Sequence, residues 1–472
     1  MPEKVRTETT VNGRTLNPRK KVQTKKSRLR KARPSRQVAP KQRRSPLKVL
    51  IIGSGGREHT IAWKLSQSPK IDQILCAPGN AGTAALGENL EISGGDIDSL
   101  LALARARQID LTVVGPEAPL VEGIVDRFRA VGLAIVGPTA GAARLEGSKV
   151  FTKHFLSKHG IPTAAFEVFK DAETAEDSLK AGSFQFPVVV KADGLAAGKG
   201  VFICQDLGEA LDAVDIVMRQ RKFGASGDLL VIEEFLQGDE ASFMVFTDGK
   251  TVLPMVPSQD HKAIFENDEG PNTGGMGAYS MEGLLSGELQ SRILGEIIKP
   301  TVAAMAEEGT PFQGILYAGL MLTAEGPKVL EYNVRFGDPE TQAVLPRMKS
   351  DLLDVFLAMT SGDLSQELIE WYSDAAVCVV VASKGYPGAY NKGLEISGIS
   401  MAEEDPATVV FHAGTDLHND SVVTSGGRVL GVTSRSPSLE SAIMKVYEAV
   451  NKVHFDGMYY RKDIAAKGLN RN

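Results

Sequence analysis

In Pro187–Val201, PVVVKADGLAAGKGV, the β-branched run Val188–Val190 reads as a short buried strand that ends at Lys191. A turn follows with Gly194, Gly198 and Gly200, and Lys199 stands among the glycines. Glycines let backbone N–H groups approach a polyanion, and lysines beside them supply charge for phosphates. One reading is a flexible lid over a triphosphate; an ordinary Gly-rich hairpin with surface lysines also fits. The spacing is not a Walker A motif, because three residues separate Gly194 from Gly198 and Gly200 follows Lys199.

A second focus is KVLEYNVRFGDPETQ. Glu331, Asn333 and Arg335 alternate along a predicted strand, so they share one face. Carboxylate and amide oxygens suit Mg²⁺, which shares substrate phosphates. Arg335 suits an oxyanion or a γ-phosphoryl group in transfer. A solvent-facing sheet edge would place them alike, but Asp338, Glu340 and Thr341 follow at once and weigh against it. Between the two foci, SQDHKAIFENDEGPNTGGMGAYS is polar, glycine-rich and predicted to be poor in regular structure. A loop of that length inside a domain is functional or disordered. Asp260, His261, Lys262, Asn272 and Thr273 clustered around glycines point to substrate binding.

These residues need a frame. LKVLIIGSGGREHTIAWKLSQS, from Leu47, reads as a buried strand, a glycine turn and a helix carrying Ile61, Trp63 and Leu65. That is the start of a Rossmann-like βα unit. Glu58 stands where a dinucleotide fingerprint requires glycine. The Gly55–Gly56 turn can still hold one phosphate at the helix N-terminus, with Arg57 and His59 adding to it. QILCAP before PGNAGT, DLTVVGPEAPL and GLAIVGPTAGAARLEG repeat the strand–turn pattern. Ligands of an open α/β sheet bind at such strand ends, which gathers Gly79, Asn80, Gly82, Gly115, Glu117 and Thr139. Helix capping alone would explain any one of these turns.

SKVFTKHFLSKHG is a predicted helix with Lys149 and Lys153 one turn apart; an anionic partner and a solvated basic face both fit. LLVIEEFLQGDEASFMVFTDG reads as strand, linker and strand, marked by Glu233, Glu234 and Glu240. Such a linker can hold an adenosine, with a carboxylate on its ribose. ILYAGLML and KVLEYNVRF form a predicted hairpin. From Ala375 a smaller α/β region with few catalytic candidates is expected to cover or support the crevice, closing on Tyr459-Tyr460-Arg461-Lys462-Asp463.

Composition narrows the classes. At 472 residues, 43% hydrophobic and 24% charged, the chain is of ordinary globular make-up with about three domains. The longest apolar runs, such as Val377–Ala382, fall far short of the ~18 residues a membrane span needs. Cys76, Cys204 and Cys378 stand apart without metal or redox spacing, as core thiols of a reducing compartment do. Net charge is −5, yet residues 1–48 hold 17 Lys/Arg against Glu3 and Glu8. Residues 1–46 therefore read as a disordered basic arm. A tail without function is favoured, a transit peptide second and a polyanion-binding arm third.

Taken together, GSGGREH at 53–59, APGNAGT at 77–83, VVGPEAPL at 113–120, KADGLAAGKGV at 191–201, QDHK at 259–262, GPNTGGMGAY at 270–279 and EYNVRFGDPETQ at 331–342 resemble the glycinamide ribonucleotide synthetase (phosphoribosylamine–glycine ligase) family of the ATP-grasp superfamily. The resemblance spans about 48–467. It implies an α/β and α+β multidomain fold. A Rossmann-like N-terminal domain would cover 47–147, and an ATP-grasp region 148–370 with its lid at about 165–240. A small C-terminal α/β domain would cover 371–472. The implied reaction joins glycine to 5-phosphoribosylamine at the expense of ATP, through glycyl phosphate. ATP and Mg²⁺ or Mn²⁺ are the implied cofactors. Lys149 and Lys191 match the phosphate lysines, and Gly198, Lys199 and Gly200 the mobile loop. Glu233, Glu234 and Phe235 match the adenine linker, Glu240 the ribose carboxylate, and Glu331 and Asn333 the metal ligands. Gly55, Gly56, Arg57, Glu58, Asn80, Gly82, Thr83 and Glu117 fall on the phosphoribosylamine side. So do Lys262, Asn272, Thr273, Gly274, Gly275, Met276 and Gly277, with Glu340 and Thr341. Asp260, Arg335 and Asp338 sit where glycine and the acyl phosphate are expected.

Two departures stand out: Ala263 where the family has a basic residue after QDHK, and Met281 where it has Pro. The implied enzyme is a cytoplasmic monomer working on small molecules, without membrane or nucleic-acid partners and without a fused second enzyme. An organellar location follows instead if the arm is a transit peptide. The alternatives are a sister ATP-grasp ligase with another acceptor, and a non-catalytic nucleotide or nucleic-acid binder. Intact Glu331, Asn333 and both lysines argue against the binder, and Glu58 against hydride transfer.

Overall fold

β1 (Leu47–Gly53) lies at the centre of a parallel sheet because its apolar residues are covered on both faces. Val49 and Ile51 pack with Ile61 and Leu65 of the helix Gly56–Ser66. The alternate residues Leu50 and Ile52 pack with Leu100 and Ile124. Each such fully buried side chain contributes about 1.5–3 kcal/mol. The computed structural model describes residues 46–195 and 200–470. The expectations for the basic arm, Gly198 and Lys199 lie outside the described residues.

β2 (Ile71–Pro78), β3 (Glu88–Asn89), β4 (Leu111–Val114) and β5 (Ile135–Val136) complete the first sheet in the order β3-β2-β1-β4-β5. The strand order reverses between β1 and β4, which opens a crevice at their C-terminal ends. The expected Rossmann-like layout is therefore present. The helix Gly56–Ser66 is buried on both sides. Its second side meets the C-terminal region: Trp63 packs edge-on to Phe411 with ring centroids 5.5 Å apart.

β6 (Phe166–Phe169), β7 (Val188–Ala192), β8 (Val201–Cys204) and β9 (Leu230–Glu234) form an antiparallel sheet in the order β6-β9-β7-β8. The helices Ala172–Lys180 and Leu207–Val214 share a core with it. Next come β10 (Asp239–Asp248), β11 (Val252–Pro254), β12 (Gln259–Asp260), β13 (Gly277–Ser280), β14 (Gln313–Thr323) and β15 (Gly326–Asn333). Four of them build the sheet β11-β10-β14-β15, in which β14 and β15 are the expected hairpin.

The stretch 259–280 is mostly irregular from 261 to 276, as expected, but its two ends are strands: β12 and β13 pair antiparallel and add to the C-terminal sheet. That sheet also holds β16 (Ala375–Ser383), β17 (Thr408–His412) and β20 (Arg428–Ser436), in the order β12-β13-β16-β20-β17. β18 (Thr415–His418) and β19 (Ser421–Thr424) make a separate hairpin, and β21 (Met458–Tyr459) pairs with β16. Polar composition hid the strands of 259–280. β12 pairs with β13, and β13 in turn pairs with β16, about a hundred positions away in the chain. Among the described residues no helix is long and apolar enough to cross a membrane.

Candidate active site

The lid and the helix Lys149–Lys158 are joined by Asp193, directly after β7. Its carboxylate accepts from the Val150 N–H at 3.0 Å and from the Ser148 hydroxyl at 3.2 Å. This brings Lys149 beside Lys191, and Lys149 Nζ donates to the Gly194 carbonyl at 2.9 Å. Lys191 Nζ donates to Glu233 Oε2 at 2.9 Å, and Lys153 Nζ meets the same oxygen at 2.9 Å. Lys153 is thus no solvated basic face: it is 2% exposed, and burial outweighs Glu233 in lowering its pKa to about 8. Glu233 Oε1 is buried without a hydrogen-bond partner among the described residues. Glu234 accepts from the Ala165 N–H at 3.0 Å, Phe235 is half-buried, and Gly200 O accepts from the Ala192 N–H at 2.9 Å.

Glu331 and Asn333 share one face at the end of β15, opposite Gly319 and Tyr317 of β14. Burial opposes the charge of Glu331, but Lys262, Lys191, Lys149 and Arg335 outweigh it and hold the carboxylate below its ordinary pKa. Among the described residues no three His, Cys, Asp or Glu side chains gather into a metal site. One ionised carboxylate with a neighbouring amide oxygen nevertheless fits a hard cation that completes its shell with phosphates and water.

β15 ends at Asn333, so Arg335 lies beyond the strand rather than on its face. Its guanidinium bridges Glu117 Oε2 at 3.2 Å and Glu146 Oε1 at 2.8 Å. Glu146 also accepts the Val334 N–H at 2.7 Å. Burial, only partly offset by Arg335, lifts the Glu146 pKa to about 7. The arginine ties the β4 strand end to β15, so a residue expected to meet an oxyanion is already committed to two carboxylates.

Across the cleft, Lys262 Nζ pairs with Glu240 Oε2 at 2.8 Å. Burial, opposed by Lys262 but reinforced by Glu340, Glu240 and Glu331, raises the Asp260 pKa to about 7. Asn272 is exposed and bridges to Ala263, while the Thr273 hydroxyl donates to Lys262 O at 2.8 Å. Met276 and Gly277 are buried, Met276 in the core of the C-terminal sheet, and their backbone is engaged in the fold: the Met276 N–H donates to His261 O at 2.7 Å, and Gly277 O accepts the His261 N–H at 2.9 Å.

Three chain segments converge on that of Asp338. A Cβ on Gly55 would lie 3.4 Å from Asp338 Oδ2, and one on Gly56 only 2.5 Å from Gln342 Nε2. Gly275, at φ +107°, passes so close that a Cβ would meet Pro339 at 2.4 Å. Arg428, at the start of β20, donates to the Gly274 carbonyl at 2.5 Å and the Asp338 carbonyl at 2.7 Å, and pairs with Asp338 Oδ2 at 3.3 Å. Burial opposes the Asp338 charge, but Arg428 and Arg57 hold its carboxyl below the usual range. Arg428 stands in the region expected to carry few candidates. Its only sequence signal is the Gly426-Gly427 pair before it. Glu146 carries no sequence signal either, because an acid in a predicted helix is commonplace, and Lys153 is marked only by its spacing from Lys149.

Several expected substrate residues are turned inward. Glu58 is 2% exposed and accepts from the Gly55 N–H and from Arg57 Nε, each at 2.6 Å. Arg57 also donates to Phe336 O at 3.1 Å. Asn80 caps the turn at Gly82 and Thr83, and its amide donates to His412 O at 2.8 Å. The Thr83 hydroxyl donates to Asn89 at 2.8 Å. Gly82 lies against the His59 ring. His59 does not supply the charge expected of it: burial and His412 lower its pKa to about 3, and its Nδ1 accepts the His412 N–H at 2.8 Å. Glu340 receives the Tyr317 hydroxyl at 2.6 Å, and Thr341 donates to Gly337 O at 2.5 Å.

Three family profiles of phosphoribosylglycinamide synthetase match the chain in order. The N domain matches residues 47–146, the ATP-grasp (A) domain 147–341 and the C domain 376–467. A phosphoribosylamine–glycine ligase of Caldanaerobacter subterraneus is 50% identical over 420 residues, covering 89% of this chain and 100% of that protein. The crystal structure of a phosphoribosylamine–glycine ligase from Thermotoga maritima is 36% identical with a TM-score of 0.78, covering 89% of this chain and 100% of that one. The biotin carboxylase domain of a Hydrogenobacter thermophilus 2-oxoglutarate carboxylase, solved with MgADP and bicarbonate, has a TM-score of 0.66 at 16% identity. It covers 88% of this chain and 91% of that one, and shares the fold alone. By its three matched domains and its half-identical relative, the chain belongs to the phosphoribosylglycinamide synthetase family.

Proposed function

We propose that this chain joins glycine to 5-phosphoribosylamine, converting ATP to ADP and phosphate and forming glycinamide ribonucleotide for purine synthesis. The observation that carries the reading is the meeting of two half-sites: the lysine–carboxylate cleft around Glu331, and the Asp338 convergence of Gly55, Gly275 and Arg428. The relative named above acts, by its name, on phosphoribosylamine and glycine. In this reading residues 47–147 and 371–472 flank an ATP-grasp region at 148–370.

Lys149 and Lys191 hold the triphosphate, Glu233–Phe235 the adenine and Glu240 the ribose. Glu331 and Asn333 would hold Mg²⁺, which when bound neutralises phosphate charge. A glycine carboxylate oxygen attacks the γ-phosphorus, the bond to the ADP oxygen breaks, and glycyl phosphate forms. The amine of phosphoribosylamine then attacks the carbonyl carbon, the carbon–oxygen bond to phosphate breaks, and the nitrogen sheds a proton. Asp260, with its raised pKa, is suited to take that proton. Positioning and charge stabilisation account for the catalysis, so no nucleophilic side chain is required.

The test is phosphate release from MgATP with glycine alone, with phosphoribosylamine generated in situ alone, and with both. Release only with both, accompanied by glycinamide ribonucleotide, is expected. Release without that product, or none with this pair, would move the acceptor assignment to a sister ligase.

A further inference from the structure

The closing motif Tyr459-Tyr460-Arg461-Lys462-Asp463 packs on the outer side of the β12–β13 hairpin. Arg461 is 0% exposed, and a buried guanidinium must be fully paired. Nε and Nη2 donate to Asp463 at 2.8 and 2.7 Å, and Nη1 donates to Ala263 O and Asp268 Oδ1, each at 3.0 Å. Asp463 also receives the Asn267 N–H at 2.9 Å, and Lys467 pairs with Asp268. The Tyr459 hydroxyl donates to Ile264 O at 3.1 Å, and the Ala465 N–H to His261 Nε2 at 3.4 Å. On the other side the Tyr447 hydroxyl, in the helix Leu439–Val450, donates to Arg461 O at 2.8 Å and accepts the Ile464 N–H at 3.0 Å.

The hairpin's own pairing is thin. β12 contributes only Gln259 and Asp260 to the ladder. At the tip Asn267 and Asp268 hold φ of 59° and 57°, a left-handed turn that Asn and Asp adopt more readily than other non-glycine residues. The tail therefore contacts the segment on both sides of Lys262 and its left-handed tip. Ala263 belongs to this contact: it is 5% exposed, and its carbonyl is one of the two acceptors of Arg461 Nη1.

We propose that Arg461 is a positioning residue for the acceptor half of the reaction. Through Ala263 O and Asp268 it fixes the hairpin so that Asp260 and Lys262 project into the cleft. This rests on the reading that the hairpin holds the ribosylamine.

The test uses the full chain with Arg461→Met, Arg461→Lys, Asp268→Asn and, as a control on the reading itself, Lys262→Met. Steady-state constants for all three substrates, ADP affinity and amide hydrogen exchange over 259–277 are measured. For Arg461→Met, kcat/KM for phosphoribosylamine should fall about 10- to 100-fold. Exchange over 261–276 should accelerate while ADP affinity holds, and Arg461→Lys should recover part of the loss. If Arg461→Met does not fold, Asp268→Asn, whose side chain is 36% exposed, loosens the same contact and should give a smaller loss of the same kind. An unchanged ribosylamine kcat/KM in the tail variants, with a loss in Lys262→Met, would overturn the positioning role. No change in Lys262→Met either would overturn the reading of the hairpin. Equal weakening of ADP and ribosylamine would show Arg461 to be a general structural element only.

Discussion

The nucleotide half and the acceptor half of the cleft are built differently. In the first, Lys191 and Glu233 are strand neighbours in the lid, and Lys149 is tied to them by Asp193 one turn away. In the second, Gly55, Gly275, Asp338 and Arg428 come from four segments, and backbone proximity does most of the assembly. Charges on one side are paired locally; on the other, arginines from the C-terminal region bind carbonyls of distant turns. Loss of one group should therefore weaken one substrate on the nucleotide side, but disturb several contacts on the acceptor side.

The largest effect is expected from Glu331→Ala, which removes the carboxylate that Lys262, Lys191 and Lys149 together keep ionised. Turnover should fall by about 10³-fold, with an unchanged circular dichroism spectrum; full Mg²⁺-dependent activity would remove Glu331 from the site. Next, Arg428→Met should raise KM for phosphoribosylamine by about 10- to 100-fold while KM for ATP stays constant. A rise in both would erase the distinction between the halves.

Asp260→Asn separates chemistry from folding. As the base it must be ionised, so kcat/KM for the native enzyme should climb with pH through about 7, and the variant should lose that limb. The stability sign is opposite. A carboxyl whose folded pKa is raised contributes stability below its unfolded pKa, near 3.8, and loses it as pH rises through about 7. At pH 8 Asp260→Asn should therefore melt at a higher temperature than the native chain. The smallest effect is expected from Lys153→Met. Lys191 still pairs with Glu233, so KM for ATP should rise by about tenfold or less, with glycine and ribosylamine constants unchanged.

What could be read in advance follows the same division. The strand–turn pattern of 47–147, the Gly-rich turn and the alternation of Glu331 with Asn333 are local, because period-two spacing and β-branched runs report on a strand wherever it packs. Arg335 was read as a third member of that alternation. β15 stops at Asn333 because the next backbone N–H, that of Val334, goes to Glu146 instead of a strand. The hairpin 259–280 read as a loop because its pairing partner, β16, lies far along the chain. Arg428 and Arg461 carry no local sign of their burial; only tertiary contact with the hairpin turns them from surface residues into part of the site. His59 shows the converse. A basic residue beside a glycine turn suggests phosphate, yet burial, with His412 beside it, leaves it neutral.

The central claim is that the two halves exchange an acyl phosphate, and oxygen transfer tests it most directly. Glycine labelled with ¹⁸O in both carboxylate oxygens is turned over with MgATP and phosphoribosylamine, and the released phosphate is weighed by mass spectrometry. One labelled oxygen in each phosphate is the expected result. Phosphate without label, with glycinamide ribonucleotide still formed, would contradict glycyl phosphate and the division of the cleft built on it.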